Sequence, residues 1–284
     1  MNSEGNSDKK WDVVIDNSSK VNFNLFELFR YRDLLFMFVK KDLITVYKQT
    51  ILGPLWFFVQ PVLTCIIYTV IFTRIAKIGT DEVPAVLFYL GSIAIWNYFS
   101  ETLNITSRTF TDNANIFGKV YFPRIVVPVS KVLSGMYKFF IQLGLFVLVW
   151  LYYVFVDHKV SPNFYMLFLP VILFEMAILS LGFGLIVTSM TTKYRDLSFL
   201  VAFGVQLFMY ITPVIYPISK FKTHQTFIWL NPLSSLFETF KYGFFGKGTI
   251  SLFWLGYSVV FSIVIFVIGL LLFNKVEKRF IDTV

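Results

Sequence analysis

The sequence has few charged residues. Only 15% of its 284 residues are Asp, Glu, Lys or Arg, and its mean hydropathy is +0.69. A soluble domain carries about 25% charged residues, because water must wet its surface. A chain of this length with so little polar surface cannot cover a water-soluble particle. The composition therefore predicts a membrane protein.

Residue types that build metal and catalytic sites are also scarce. The single cysteine, Cys65, lies in an apolar run, which excludes a disulfide framework. The two histidines, His158 and His224, form no metal-ligand pattern, so no metal site is predicted. The segment Gly243–Gly248 lacks the spacing of a phosphate-binding loop, and no catalytic motif of a hydrolase is present. We expect no catalytic residue and no cofactor in this chain, and if transport by it needs energy, a partner must bring the ATPase.

Long apolar runs account for most of the chain. A helix needs about 20 mostly apolar residues to cross the hydrocarbon core of a membrane. Six runs meet this requirement, and they predict an all-α polytopic membrane protein with six transmembrane helices: Pro54–Thr73, Pro84–Leu103, Ile125–Val156, Phe164–Met190, Leu197–Ile218 and Ile250–Phe273.

Two further segments fit neither spans nor simple loops. Residues 24–43 repeat apolar side chains at helical spacing among charges, which predicts an amphipathic interfacial helix with Asn24 as its N-cap. Residues 220–249 are too apolar for a free loop and too interrupted for two spans. They predict two short re-entrant helices around Asn231 and Pro232, between the fifth and sixth spans. Residues 1–23 form a predicted cytoplasmic tail, and 44–284 form the six-span domain.

The basic residues predict the orientation of the chain. Seven of the 25 Lys and Arg residues lie on the side away from the termini, and the remaining 18 lie on the side of the termini. The positive-inside rule therefore places both termini in the cytoplasm. The basic residues stand between apolar blocks and not along one face, so no nucleic-acid partner is expected. The seven are Arg74, Lys77, Lys159, Lys220, Lys222, Lys241 and Lys247.

Four motifs occur in order along these predicted elements. They are Tyr47–Trp56 followed by Gln60–Pro61, Asn113–Arg124, Tyr194–Asp196 leading to Thr212–Pro217, and Leu230–Pro232. Together they resemble the permease subunits of ABC exporters for O-antigen, teichoic acid and related capsule polysaccharides (Wzm-like and TagG-like proteins). The resemblance covers roughly Leu25 to the C-terminus. It does not extend to residues 1–23, where Trp11–Ile15 suggest a short strand or an ordered tail.

The resemblance implies a homodimer in the bacterial inner membrane, with two copies of an ABC-type ATPase subunit beneath it. Its substrate would be a polysaccharide linked to polyprenyl diphosphate, moved out of the cytoplasm. The loop from Asn104 to Arg124 would carry a short helix that couples to the ATPase, and the helix at 24–43 would flank the cytoplasmic entrance. The coupling residues would be Asn113, Asn115, Lys119, Tyr121, Arg124, Arg195 and Asp196. The external gate would contain Tyr216, Asn231 and Pro232.

Aromatic residues are concentrated in the first two predicted spans. They could line a path on which sugar rings slide, or they could supply interface belts and lipid-facing bulk, as Trp and Tyr do in most membrane proteins. The candidate lining residues are Trp56, Phe57, Tyr68, Tyr89, Trp96, Tyr98 and Phe99.

Charged residues within the spans allow two interpretations. Glu175 lies near the middle of the fourth span, where a charge is costly and often functional, but a hydrogen-bonded glutamate joining two helices is favoured. Glu101 is expected to pair with Lys131 or Lys138, and the first two turns of the third span are expected to lie at the interface.

Two other functions remain open from the sequence. An ABC exporter permease for a small hydrophobic molecule or drug would have the same spans. A membrane enzyme of lipid-linked sugar assembly would need clusters of carboxylates or basic residues, which the loops lack.

Overall fold

The computed structural model describes residues 29–48, 51–120, 122–194, 196–221 and 225–281, and the regular structure within these ranges is helical. The predicted tail at 1–23 and the first residues of the predicted interfacial helix lie outside them. The helices are α1 (Arg32–Lys48), α2 (Trp56–Tyr68), α3 (Ala85–Thr106), α4 (Thr109–Asp112), α5 (Ala114–Phe117), α6 (Val126–Phe155), α7 (Leu169–Thr191), α8 (Leu197–Ile211), α9 (Gln225–Trp229), α10 (Pro232–Phe245) and α11 (Leu252–Ile281).

Short helical turns of other types extend two of these helices. A 3₁₀ turn at Gly53–Leu55 precedes α2 and a π-helical segment at Thr69–Ile75 follows it. A 3₁₀ turn at Phe164–Phe168 precedes α7, and another forms at Ile218–Lys220. Pro54 follows the start of the first turn, where the missing N–H of proline costs nothing.

Four helical segments are long and apolar enough to cross a membrane. They are Gly53–Ile75, Val126–Phe155, Phe164–Thr191 and Leu252–Glu277. These four correspond to the first, third, fourth and sixth predicted spans, so those predictions are confirmed at the level of length and composition.

Helix α3 has 22 residues but is not one of these four segments. Its second half contains polar side chains such as Asn97, Glu101 and Asn104. Most of the helix is buried, and Leu87 and Tyr89 have no exposed surface. Because other helices enclose α3, its side chains need not be compatible with lipid, and the polar ones can be tolerated.

The fifth predicted span is too long at its C-terminal end. Helix α8 ends at Ile211 and has 15 residues, whereas the prediction continued to Ile218. Pro213 disfavours helical backbone in the residue before it. Thr212 is accordingly extended, with φ −85° and ψ 141°. The chain then turns through residues 212–217, and the helix alone reaches only about 22 Å at 1.5 Å per residue.

The two short helices predicted between the fifth and sixth spans are present as α9 and α10. Every residue of α10 except Tyr242 is buried. Gly246 ends the helix with φ +69°, a conformation that glycine adopts without strain, and its N–H donates to the Tyr242 carbonyl at 3.0 Å. Asn163 fastens α10 to the turn before α7, since its Nδ2 donates to the same carbonyl at 2.9 Å.

The helices pack around α3. Helices α6 and α7 lie against it, α11 packs along α7, and α1 lies on α6. We call the two ends of this bundle the α1 end and the α10 end. At the α1 end, Phe38 and Phe122 pack with Phe110 and Phe273, so α1 and the last part of α11 lie at the same end.

The predicted interfacial helix differs from α1 in its bounds. The prediction ended at residue 43, whereas α1 continues to Lys48. Leu35 and Phe38 are buried against the bundle, while Phe36 and Met37 are 63% and 55% exposed. The helix therefore has apolar side chains on both its buried and its exposed surfaces.

The contact between α7 and α11 depends on glycine. A Cβ on Gly269 would lie 2.5 Å from the carbonyl oxygen of Gly182, so the two backbones approach too closely for a side chain. We expect Gly269→Ala to destabilise the protein by about 1–3 kcal/mol, as overpacking does in other cores. Gly256→Ala is the control in the same helix, because nothing lies within 4 Å of its added Cβ. Thermal unfolding in detergent should give a lower Tm for the first variant only; equal values would contradict this packing.

Candidate functional site

The loop predicted to couple to an ATPase, residues 104–124, contains the short helices α4 and α5 at the α1 end. We call this loop the coupling segment. Its inner side is fastened to α7 and α11. The Phe110 ring stacks on Phe273 with centroids 4.8 Å apart, and the backbone N–H of Phe110 donates to Thr188 Oγ1 at 3.3 Å. Thr191 Oγ1 donates to the Ser107 carbonyl at 3.0 Å. Movement of this segment would therefore be transmitted directly to the ends of two long helices.

The outer side of the same segment carries polar side chains. Asn115 and Lys119 are exposed, and Asp196 is exposed at the start of α8. Asn113 instead bonds within the segment, since its Nδ2 donates to the Thr109 carbonyl at 2.9 Å. Tyr121 and Arg195 lie outside the described residues.

The start of α8 lies beside the coupling segment. The Arg108 guanidinium is 6.0 Å from the centre of the Phe199 ring. The structure thus brings the second motif, at 113–124, and the third, at 194–196, to the same end of the bundle.

Arg124 is buried, whereas the coupling prediction would place it on a partner. Its Nη1 donates to the Glu277 carbonyl at 3.0 Å, and its backbone N–H donates to Glu277 Oε1 at 3.1 Å. The guanidinium also lies 5.5 Å from the centre of the Phe117 ring. These contacts join the coupling segment to α11, so within this chain Arg124 positions the segment.

The predicted lining aromatics lie mostly in the core. Five of them are buried, namely Phe57, Tyr89, Trp96, Tyr98 and Phe99, whereas Trp56 is 44% exposed and Tyr68 is partly buried. The Tyr68 ring lies 6.1 Å from Tyr89, and its hydroxyl is 3.5 Å from the Met209 sulfur. These rings pack α2, α3 and α8 together. In this conformation the buried five present no open face to a passing sugar.

The three residues predicted for an external gate lie at the α10 end. Asn231 Oδ1 accepts from the Leu233 N–H at 3.0 Å and so caps α10, while its Nδ2 donates to Thr212 Oγ1 at 2.9 Å. The Pro232 carbonyl accepts from Ser258 at 2.8 Å. Tyr216 donates its hydroxyl proton to the Ile211 carbonyl at 2.8 Å. Helix α10 is thereby tied to the end of α8 and to α11.

A buried ion pair beside these residues was missed by the sequence analysis. Lys241 and Glu238 are each 2% exposed, and their side chains are 3.2 Å apart. Lys241 Nζ also donates to the carbonyls of Pro213 at 2.6 Å and Tyr216 at 3.3 Å. Lys241, which the sequence analysis counted only as a basic residue on the side away from the termini, is therefore enclosed by protein. The available signal was a glutamate three residues before a lysine inside an otherwise apolar helical segment.

The predicted pairing of Glu101 is confirmed. Lys138 donates to Glu101, while Lys131 Nζ lies 2.6 Å from Asp42 Oδ1 in α1. The two lysines have only 14% and 20% of their side chains exposed, so they point between helices.

Glu175 joins two helices, as the favoured interpretation predicted. It is 4% exposed, and it accepts hydrogen bonds from Ser258 and, at 3.4 Å, from Ser262 of α11.

Comparison with known proteins identifies the family. The sequence profile described as "ABC-2 type transporter" matches residues 33–245. This range is most of the chain, and it contains all four motifs. The chain belongs to the ABC-2 type transporter family.

Curated relatives of this ABC-2 type transporter share its length. An O-antigen export system permease protein RfbA of Klebsiella pneumoniae is 29% identical over 268 residues, which are 93% of this chain and 99% of the relative. A protein of the same name from Myxococcus xanthus is 27% identical over 218 residues, which are 76% of this chain and 81% of the relative. The resemblance stated from the four motifs is thus confirmed.

Proposed function

We propose that this chain is the transmembrane subunit of an ATP-driven exporter of polysaccharide linked to polyprenyl diphosphate. The observation that carries the proposal is the match over 93% of the chain to a relative named as an O-antigen export permease. The placement of the motifs agrees with it, since the coupling segment lies at one end of the bundle and the gate residues at the other. The glycan would be of the O-antigen, teichoic acid or capsule type.

In this proposal the chain crosses the inner membrane six times, with both termini in the cytoplasm. Helix α3, with 22 residues, is about 33 Å long and could span the roughly 30 Å hydrocarbon core. Helix α8 would cross together with the turn at 212–217. Helices α9 and α10 would be re-entrant from the outer side, where neighbouring helices would shield the backbone between them from lipid.

Two copies of the chain would assemble with two ATPase subunits, which would bind ATP and Mg. The coupling segment would rest on the ATPase through its exposed side, at Asn115 and Lys119. Helices α2 and α8 would contact lipid or the second copy through apolar side chains that a single chain leaves exposed. These include Leu63, Ile66, Ile67, Phe199, Leu200 and Phe203.

The aromatic path is part of the proposal in a narrower form. Trp56 and Tyr68 are the candidate lining residues that a single chain leaves accessible. The five buried aromatics would reach the glycan only if α2 or α8 moved away from α3 during transport. A flat aromatic face suits a moving polymer, because it offers contact without a fixed hydrogen bond.

Export can be tested in the host cell. Deletion of the gene should remove the glycan from the cell surface and leave the lipid-linked form inside, because synthesis precedes export. Gel analysis of surface polysaccharide and of extracted lipid-linked glycan would measure both. The gene should restore export only together with an active ATPase gene.

Three results would contradict the proposal. The first is normal surface glycan in the deletion strain. The second is a defect confined to the efflux of small hydrophobic molecules, which would favour the drug exporter. The third is ATP hydrolysis by this chain alone above a detergent blank, since the sequence has no phosphate-binding loop.

A further inference from the structure

A cavity lies between α1, α3 and α6 at the α1 end. Its volume is about 280 Å³, at the lower limit of small-molecule sites in proteins, which range from about 300 to 1,000 Å³. A volume of this size suits a headgroup and not a chain of sugars. Lys41 belongs to its lining and is exposed, so the cavity has an edge at the surface.

The lining of the cavity is cationic. Three lysines contribute to it, Lys41, Lys131 and Lys138, together with only two carboxylates, Asp42 and Glu101. Lys131 and Lys138 are held by those carboxylates, whereas Lys41 forms no ion pair among the described residues. An incoming anion would therefore find one uncompensated ammonium and two more that could rotate toward it. Basic cavities between transmembrane helices bind anionic lipid headgroups in other proteins.

The wall of the cavity contains a buried hydroxyl. Thr102 is 1% exposed, and its Oγ1 has no hydrogen-bond partner within the described part of the chain. Gly135 faces it, because a Cβ on Gly135 would lie 2.7 Å from Thr102 Oγ1. The glycine thus allows α6 to pack closely against α3 beside the cavity.

One exposed apolar side chain lies beside the cavity. Met37 precedes Lys41 by one helical turn and therefore lies on the same face of α1. It is 55% exposed. The neighbourhood thus offers ammonium groups for an anion and, next to them, an apolar surface for a hydrocarbon chain, which is the pattern of an amphiphile.

We propose that this cavity binds the phosphate-bearing headgroup of a lipid, and that the lipid is the prenyl diphosphate carrier of the exported glycan. Ammonium groups donate charge-assisted hydrogen bonds to phosphate oxygens. The assignment to the carrier rests on the proposed function, whereas the headgroup site does not. Under the proposed topology the cavity would face the cytoplasmic leaflet, where the carrier enters.

The test measures binding to the purified full-length chain by native mass spectrometry, with geranylgeranyl diphosphate as the probe. Lys41→Gln should weaken binding about tenfold, the loss expected for one charge-assisted hydrogen bond. Lys40→Gln is the matched control, because Lys40 is the adjacent exposed lysine and does not line the cavity. Gly135→Ala should also weaken binding, while Gly144→Ala in the same helix should not, since nothing lies within 4 Å of its added Cβ.

Phosphatidylglycerol and inorganic diphosphate serve as comparison probes. Tight binding of phosphatidylglycerol that is equally sensitive to Lys41→Gln would overturn the assignment to the carrier. If inorganic diphosphate binds as tightly as geranylgeranyl diphosphate, the assignment of the ligand as a lipid is overturned. Equal binding of the probe to all variants would overturn the site. Lys41→Gln leaves both ion pairs intact, so the variant should fold and this outcome can be observed. If the Lys41→Gln variant binds the probe normally and exports glycan normally, the site is rejected but the proposed function is not. If the unchanged protein binds the probe but exports no glycan, the proposed function is rejected but the site is not.

Discussion

Under the proposed function, charge reversal at Lys119 is expected to reduce polysaccharide export at least about tenfold, while the protein remains inserted in the membrane. Lys119 is exposed on the coupling segment, so the substitution changes the surface offered to the ATPase and no buried contact. Like charges brought together at an interface cost several kcal/mol, and each 1.4 kcal/mol is a factor of ten in affinity. Export in cells and ATP hydrolysis by the purified complex would measure the effect of Lys119→Glu.

A control and a second variant make this prediction specific. Lys40→Glu reverses an exposed charge on α1, at the same end of the bundle, and should leave ATP hydrolysis unchanged. Asp112→Pro removes the hydrogen bond from the Asp112 N–H to the Arg108 carbonyl and so breaks α4. If export survives both Lys119→Glu and Asp112→Pro in correctly inserted protein, the coupling function does not reside in this segment.

Replacement of Lys241 by methionine is expected to destabilise the protein by about 3–5 kcal/mol, the usual cost of leaving one partner of a buried ion pair without its counter-charge. Glu238 would remain 2% exposed with no cation beside it, and two carbonyls in the turn after α8 would lose their donor. Glu238→Gln combined with Lys241→Met should recover part of this loss, because no uncompensated charge remains. Thermal unfolding in detergent would compare the single and double variants.

An exposed ion pair nearby provides the control. Lys247 Nζ lies 2.7 Å from Glu82 Oε2, and its hydrogen bond and charge lower the pKa of the Glu82 carboxyl from its ordinary value. Both side chains are exposed, so water replaces the lost contact, and Lys247→Met should barely change the Tm. A similar small change in Lys241→Met would show that the buried pair does not hold α10 to the end of α8.

Some features of this fold follow from local sequence. The spans at Gly53–Ile75 and Val126–Phe155 agree with the predicted bounds to within two residues, because long apolar runs bounded by polar turns leave few alternatives in lipid. The helical pair at 225–245 was predicted by the same argument. The end of α8 was misplaced because the apolar residues continue to Ile218, although Pro213 had already stopped the helix.

Amino-acid sequence by itself determined that this protein is helical and built for a membrane, and its ordered motifs indicated the family. Only the tertiary structure decided which polar groups meet. It paired Lys131 with Asp42 from α1, and it enclosed Lys241 with Glu238 against the turn after α8. It also buried Tyr98 and Phe99, which the sequence analysis had named as candidate lining residues. Hydropathy and helical period depend on neighbours along the chain, whereas side-chain partners and burial depend on how helices distant in sequence pack. Partners and burial therefore could not be derived from hydropathy and helical period.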